Sequence, residues 1–322
     1  MTDVLVVGGY GRVGSACVRE LLGTTDVDIV VAGRNAQRAE SAVMTLGERA
    51  KPLYLDASDA RTLSHPLEDA AAIVLACGGA PLAALELALR VRVPVVCLAP
   101  LRLDAHAADL LAARAWEAQV ALVLAAGAVP GLAGVAAEWL MRRFAELEEI
   151  VIACSGPWSA SESARRDLAA LRRGAPARGR RLEGLWPRHW QFPAPIGRRL
   201  VRTAEAMDLE RFAEKHCVDR VTWLERDDRP VARFAERLLR RPAQPGFALT
   251  AHAFVRARSA RPDATLVFEA PDVPAAAAAA CGAMVRAILA GGVPAGVLHP
   301  REVLNPAAFL DALSKRGVRV RA

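Results

Sequence analysis

Three glycines pose the first chemical question. Gly9-x-Gly11-x-x-Gly14 stands near the start of the chain, inside VLVVGGYGRVGSACVRELL (residues 4–22). Bare backbone at a helix start does one kind of chemistry well: its N–H groups and the positive end of the helix dipole can face a phosphate. In this pattern Gly9 serves the tight turn, Gly11 the close approach of a pyrophosphate, and Gly14 the packing of helix on strand. Tyr10, Arg12 and Val13 fill the intervening places and count as part of the same loop. A glycine-rich turn alone is a weak signal. Here an apolar strand, Val4 to Val7, precedes it and an amphipathic run to Leu22 follows, which is the context a dinucleotide site requires.

The next question is which nucleotide. DIVVAG (28–33) reads as the second strand, and its C-terminal end decides cofactor choice. NAD enzymes place Asp or Glu there to bind the ribose 2′-hydroxyl. This chain has Gly33-Arg34-Asn35, with Arg38 one helical turn on. A guanidinium can clamp a 2′-phosphate, so the sequence favours NADP(H) over NAD(H). The competing reading is that Arg34 is one surface arginine among many. Asp56, after the third strand, either edges the adenine pocket or yields to Ser58 as a helix cap. Cys77-Gly78-Gly79, after the fourth strand, are small enough to let the nicotinamide half lie across the strand ends.

Acid–base groups are harder to find. Six histidines are candidates, because imidazole titrates near neutral pH. His189, between Arg188 and Trp190, is the first choice as proton donor; its alternative is a surface or packed histidine beside two tryptophans. His252 alternates with apolar residues and reads as a wall of a strand. His106 and His299 read as helix-surface and structural, and His65 and His216 as surface. Arg188, with Arg198 and Arg199, could bind a substrate carboxylate. Trp190 and Phe192, with Trp158 and Trp186, either line a cleft or form a core. Pro130-Gly131 follows the sixth strand and is expected at the cleft. No spacing of Cys and His suggests a metal site.

The elements that must position these groups come from periodicity. Six strands alternate with helices: 4–7, 28–33, 52–55, 71–76, 93–98 and 120–125, with helices to Leu22 and at 36–46, 82–90 and 103–117. That is a doubly wound parallel sheet, an α/β Rossmann domain over residues 1–128. Residues 129–274 change character. A helix to about Phe144 and a strand at 149–155 come first. Helices at 164–171, 205–215 and 229–241, a strand at 218–225 and a hairpin of 247–259 with 265–270 follow. This is an inserted α+β substrate and dimerisation domain with an antiparallel sheet. Residues 275–322 are expected to return to the Rossmann domain through a helix at 274–289 and end in a helix at 306–316.

Bulk properties narrow the partners. Of 42 basic residues all but Lys51, Lys215 and Lys315 are arginine, and the net charge is +7. Aromatics are only 5%, too few for the stacking that accompanies a nucleic-acid face, so the arginines read as composition rather than as a polyanion site. The six cysteines include no CxxC and fall mostly in apolar segments, which suits free thiols in a reducing compartment. Met1-Thr2-Asp3 runs straight into the first strand, so the expected location is cytoplasmic. The long apolar run 120–141 is broken by Pro130-Gly131 and charged by Glu138, and reads as strand, loop and helix rather than a membrane span.

Four segments together resemble the saccharopine dehydrogenase-like family of NAD(P)-dependent oxidoreductases. They are VVGGYGRVG with VVAGRN, AAGAVPGLAGVAAEWL, HWQFPAPIGRRLVRTAEAMDL, and ILAGGVPAGVLHPREVLNPAAFLDALSKRGV. The resemblance implies a substrate cleft between two domains, beside the nicotinamide. It also implies reduction of an imine formed from an amine and an oxo acid, or the reverse, in a homo-oligomer, expected to be a dimer. Relatives include enoyl reductases. The chain departs from the family where Asp and His tend to follow the proline–glycine pair: Leu132-Ala133-Gly134 stand there, and Cys97-Leu98-Ala99-Pro100 replace an Asp after the fifth strand. Reduction of C=N is therefore the leading activity. Reduction of C=C or C=O, or a non-catalytic NADP-binding sensor or partner-binding subunit, are the alternatives.

Overall fold

The computed structural model describes residues 3–57, 59, 62, 70–78, 81–98, 101, 103–129, 131–156, 188–203, 212–213, 215–227, 229, 232, 234, 246–256 and 261–322. They form two compact units. The described part of the first is 3–131 and 277–305. That of the second is 132–156, the described stretches of 188–276, and 306–322.

The first unit is built on a seven-stranded sheet. Its strands are β1 (Asp3–Val7), β2 (Asp28–Gly33), β3 (Ala50–Tyr54), β4 (Ala70–Leu75), β5 (Val95–Cys97), β6 (Ala121–Val123) and β13 (Gly296–Leu298). The order is β13-β6-β5-β4-β1-β2-β3, and every pairing is parallel. Chain order runs one way from β1 to β3 and the other way from β4 outward. The sheet therefore has its switch point between β1 and β4, where doubly wound folds bind ligands. Helices α1 (Arg12–Leu22), α2 (Ala36–Val43), α3 (Pro81–Val91) and α4 (Ala105–Glu117) connect the strands. Such strands must be apolar on both sides because helices cover both faces; Val4, Leu5, Val6 and Val7 are all at most 2% exposed. Helix α1 buries Gly14, Cys17, Val18 and Leu21, the 3–4 spacing of an amphipathic helix. It stops at Gly23, where Thr24 and Thr25 turn their hydroxyls onto the carbonyls of Glu20 and Leu21.

The alanine-rich helix α6 (Val273–Leu289) lies against α1. Its Gly282 leaves no room for a side chain beside Glu20, and Arg286 donates to both Glu20 and Thr24. Poly-alanine both favours helix and permits this close approach. Strand β13 then adds the seventh strand, beyond the six that periodicity predicts.

The second unit also carries a seven-stranded sheet: β7 (Glu149–Cys154), β8 (Arg188–Gln191), β9 (Arg198–Thr203), β10 (Arg220–Arg226), β11 (Phe247–Phe254), β12 (Ala264–Ala270) and β14 (Arg319–Arg321). The order is β14-β12-β11-β7-β10-β9-β8. Only β10 with β7 is parallel; the other pairings are antiparallel. Helices α5 (Gly131–Met141) and α8 (Pro306–Ser314) carry this unit's helical residues together with shorter pieces, and α7 (Pro300–Val303) precedes α8 in the chain. One assignment needs correction. The reading sent all of 275–322 back to the parallel sheet, but β14 pairs with β12, setting Val320 opposite Phe268. The expected helix at 164–171, most of those at 205–215 and 229–241, and Trp158 and Trp186 lie outside the described residues.

Candidate nucleotide-binding site

The site grows from the end of β1. Gly8, not Gly9, is the residue in the left-handed region, with φ +83°. The sequence reading gave the tight turn to Gly9; the structure moves it one residue earlier. Gly8 N–H donates to the Ala32 carbonyl at 2.7 Å, and Gly11 N–H to the Gly8 carbonyl at 2.9 Å. A Cβ on Gly8 would lie 3.1 Å from the Ala76 backbone and from Cys77 Cβ, so this turn abuts the end of β4 at the switch point. Gly9 has its own constraint: a Cβ would meet the Val6 carbonyl at 2.9 Å and Val31 Cγ1 at 3.0 Å.

Gly11 and Gly14 differ in kind. A Cβ on Gly14 would sit 2.1 Å from the Gly8 carbonyl oxygen, so only glycine lets α1 pack on the turn. Among the described residues a Cβ on Gly11 has one neighbour within 4 Å, that same oxygen at 3.1 Å. None of the other described residues fills the space before Gly11, as a backbone cradle for a phosphate needs. Gly11 is the N-cap of α1 and offers no side-chain acceptor to its first N–H groups. Around it Arg12 is exposed and Val13 half-buried. The residues present fit a dinucleotide.

The end of β2 is an aromatic and cationic corner. The Tyr10 ring lies over Gly33, where a Cβ would come within 2.5 Å of Cε1. The Tyr10 hydroxyl accepts the Asn35 N–H at 3.0 Å, and the Asn35 side chain caps α2 by accepting the Arg38 N–H at 2.9 Å. The Arg38 guanidinium stands over the Tyr10 ring, 4.9 Å from its centroid. Arg34 is exposed and has no hydrogen-bond or ion-pair partner among the described residues. Across the sheet Asp56 is half-buried, with its backbone N–H and carbonyl both bonded to the Thr62 hydroxyl. Cys77 and Gly78 are half-buried beyond β4. Gly79, Ser58 and Pro130 lie outside the described residues. Gly131 is locked by contact: its Cβ would meet the Ala125 carbonyl at 2.5 Å, and Ala125 itself has φ +55°.

The residues expected to carry chemistry are dispersed in the second unit. On β8, Arg188 and Trp190 share one face and His189 and Gln191 the other, as strand alternation demands. His189 is exposed and Phe192 is core, 1% exposed. His189 and Trp190 therefore point to opposite faces, and of the two readings of Phe192 the structure gives the core one. Trp190 instead reaches β11: its indole N–H donates to the Thr250 hydroxyl at 2.9 Å, and its ring meets His252 edge-on at 5.0 Å. Strands β9, β10 and β7 lie between β8 and β11 in the sheet, a path of about 19 Å at normal strand spacing. A direct hydrogen bond over that path means the sheet curls, folding the β8–β9 hairpin over its own face. Val151, Ala153, Phe192, Ile196, Val201, Leu224 and Ala248 fill the curl. Burial there pushes the His252 imidazole below its ordinary pKa.

The remaining histidines are accounted for locally. His106 is exposed, His216 faces Glu138 at 3.3 Å, and the His299 N–H donates to Glu302. His65 lies outside the described residues. Arg199 is 3% exposed, and Arg202 pairs with the buried Glu225. Asp227, 1% exposed, is held below the usual carboxylate range by the Arg229 guanidinium, which grips both its oxygens at 2.9 and 2.6 Å, against the cost of burial. Among the described residues no group of three or more His, Cys, Asp or Glu could hold a metal ion, and no helix is long and apolar enough to cross a membrane.

A glycine turn at the switch point of a parallel sheet, feeding an uncapped helix, defines a dinucleotide-binding protein of the doubly wound class. Residues 4–123 match the family described as the saccharopine dehydrogenase NADP binding domain. That match takes in the nucleotide-binding domain alone, out of a chain of 322 residues. Its fold is similar to that of apo saccharopine dehydrogenase (L-Glu forming) from Saccharomyces cerevisiae, with a TM-score of 0.69 at 14% identity over 100% of this chain and 99% of that one. Dihydrodipicolinate reductase from Paenisporosarcina sp. TG-14 shares the fold at TM-score 0.50 and 9% identity, over 93% of this chain and 97% of that one. GenD2 from gentamicin A biosynthesis, solved with NAD, does so at 0.50 and 15%, over 100% and 96%. The sequence has no match among curated proteins.

Proposed function

We propose that the protein is an NADPH-dependent reductase of a C=N bond in a small amino-acid-like substrate. The observation that carries the cofactor half is the end of β2, where neither Arg34 nor Arg38 pairs with a carboxylate among the described residues and Gly33 occupies the place of the acidic residue of NAD enzymes. The nucleotide end needs two things from the chain: backbone N–H groups at Gly11 for the pyrophosphate and guanidinium charge for a 2′-phosphate. Support for the substrate half is chemical and comparative. Full-length fold likeness to a saccharopine dehydrogenase and a dihydrodipicolinate reductase suits an imine or its reduced amine.

A bound nicotinamide supplies a hydride to the electrophilic carbon. The chain's part is then to position and to exclude water. Leu132 and Ala133, where relatives tend to carry titratable groups, are at most 1% exposed and apolar. An iminium already carries its proton, so this sequence suits that substrate better than a ketone, whose oxygen needs a proton donor.

The test is NADPH oxidation with paired amines and oxo acids, using 4-deuterated NADPH. Label on a carbon bonded to nitrogen is the expected result. Label on a carbon bonded only to carbon or oxygen overturns the C=N assignment, and tight NADPH binding with no turnover across the screen favours a sensor. Arg34→Ala should weaken NADPH by about tenfold and NADH by less than about twofold; equal losses would rule out the NADPH preference.

A further inference from the structure

We infer that Tyr10 is the residue that positions Arg38 for the nucleotide 2′-phosphate, and that Gly33 is glycine in order to seat its ring. The inference rests on the NADPH reading above and goes beyond it. Four observations meet at one corner. The ring covers Gly33, leaving 2.5 Å to a Cβ there. The hydroxyl is tied to the Asn35 N–H at 3.0 Å. The Asn35 side chain caps α2 through the Arg38 N–H at 2.9 Å. The Arg38 guanidinium lies over the ring at 4.9 Å.

Each contact restricts a different freedom. The Oη bond fixes where the ring edge sits relative to the start of α2. The cap fixes the first turn of α2, on which Arg38 is carried. The ring face then attracts the guanidinium and lowers the number of rotamers that the exposed arginine samples. Among the described residues Arg38 has no carboxylate partner, so the aromatic face does the holding and leaves the guanidinium's fork available to a phosphate. A carboxylate at this corner would do the opposite: it would neutralise the guanidinium and take the 2′-hydroxyl instead. Gly33 excludes it. Any side chain at 33 must displace the Tyr10 ring, losing the Asn35 bond and the Arg38 shelf together.

The test is equilibrium binding of NADPH, NADH and 2′,5′-ADP to the full chain and its Tyr10→Leu, Tyr10→Phe, Gly33→Ala, Arg38→Ala and Tyr10→Leu/Arg38→Ala variants. Tyr10→Leu should weaken NADPH and 2′,5′-ADP about fivefold while NADH changes by less than about twofold. Tyr10→Phe, which keeps the ring, should restore most of that affinity, and Gly33→Ala should reproduce the Tyr10→Leu loss. In the Arg38→Ala background, Tyr10→Leu should cost nothing further, because its effect runs through the guanidinium. NADH affinity reports folding in every variant, and Tyr10→Phe covers the case in which Tyr10→Leu fails to fold. A wild-type chain that prefers NADPH, with a Tyr10→Leu loss shared by NADH or undiminished without Arg38, overturns the role of Tyr10 alone. A wild-type chain that binds NADH as tightly as NADPH overturns the cofactor reading, and this inference with it.

Discussion

Replacing Gly14 and Gly11 by alanine separates packing from ligand approach within one motif. At Gly14 the new Cβ would stand 2.1 Å from the Gly8 carbonyl oxygen, 2.8 Å from its carbon and 2.9 Å from Gly9 Cα. All three are backbone atoms of a turn pinned by the Gly8 N–H bond to Ala32, so no side chain can swing away. Relief requires α1 to retreat from β1 by about 1 Å, an overpacking at the upper end of the usual range, about 3 kcal/mol. Alanine's better helix propensity returns about 1 kcal/mol, leaving a net loss of about 2 kcal/mol. Gly11→Ala meets one oxygen among the described residues, at 3.1 Å, and has φ −75°, which alanine accepts. Its stability cost is the poorer N-cap, about 0.5 kcal/mol, while its methyl enters the space reserved for the pyrophosphate and should lower NADPH affinity by at least about tenfold. Urea unfolding followed by far-ultraviolet circular dichroism, with NADPH titration by calorimetry, reads both. A Gly14→Ala protein as stable as wild type, or a Gly11→Ala protein that binds NADPH normally, would refute the assignment of these two roles.

Other expectations follow from the same geometry. Cys217 is exposed and Cys77 half-buried, while the other four thiols are buried, with Cys154 pushed up to about 12 by desolvation. A thiol reagent should therefore modify Cys217 quickly and Cys77 slowly in the native protein, and NADPH should protect Cys77 only, as peptide mapping would show; reaction at Cys77 indifferent to cofactor would place the nucleotide elsewhere. His252 has its pKa lowered by burial, so the unfolded chain takes up its proton first. Stability should fall as pH drops below about 6.5 towards the folded value, and His252→Asn should flatten urea midpoints over that window; an unchanged slope would show that the imidazole is not buried neutral against Trp190. Asp227, whose carboxyl is held low by Arg229, loses its contribution only further down, below about pH 4, so the two groups are separable in one titration.

What the sequence disclosed of the fold depended on where each strand sits in its sheet. Interior strands carry apolar side chains on both faces and announce themselves: DVLVV, DIVVAG and AAAIVL lie within a residue of their expected bounds. Three of the four strands it did not disclose are edges. β13 closes one side of the parallel sheet, and β14 and β8 are the two edges of the second sheet. An edge strand has one neighbour and a wet side, so RVR and RHWQ carry charge where an interior strand would carry valine. β9, RRLVRT, is hidden for a related reason: it lies next to the edge, and the pair Leu200-Val201 between Arg199 and Arg202 shows neither an apolar run nor a period of two.

The same physics divides the candidate site. The nucleotide end is made of backbone, and backbone demands are written locally: a glycine spaced two and five residues from another is forced by contacts inside one strand–turn–helix, and Gly8, Gly9, Gly11 and Gly14 all lie within seven residues. Even so, the spacing did not tell which glycine takes φ +83°, since Gly8 and Gly9 are adjacent and equally bare. The second unit depends on side chains brought together by the curl of a sheet. Trp190 and Thr250 are sixty residues apart, and nothing near either one predicts their hydrogen bond. Consecutive residues of a strand point to opposite faces, so alternation alone separates His189 from Trp190. His252, which does meet Trp190, follows Thr250 by two on the same face, and the alternation of FALTAHAF was the signal that linked them. A proton donor sought in this unit is therefore better tested at His252, half-buried beside the tryptophan, than at the exposed His189. Loss of reductase activity in His189→Ala with His252→Asn unaffected is the result that would reverse that ranking.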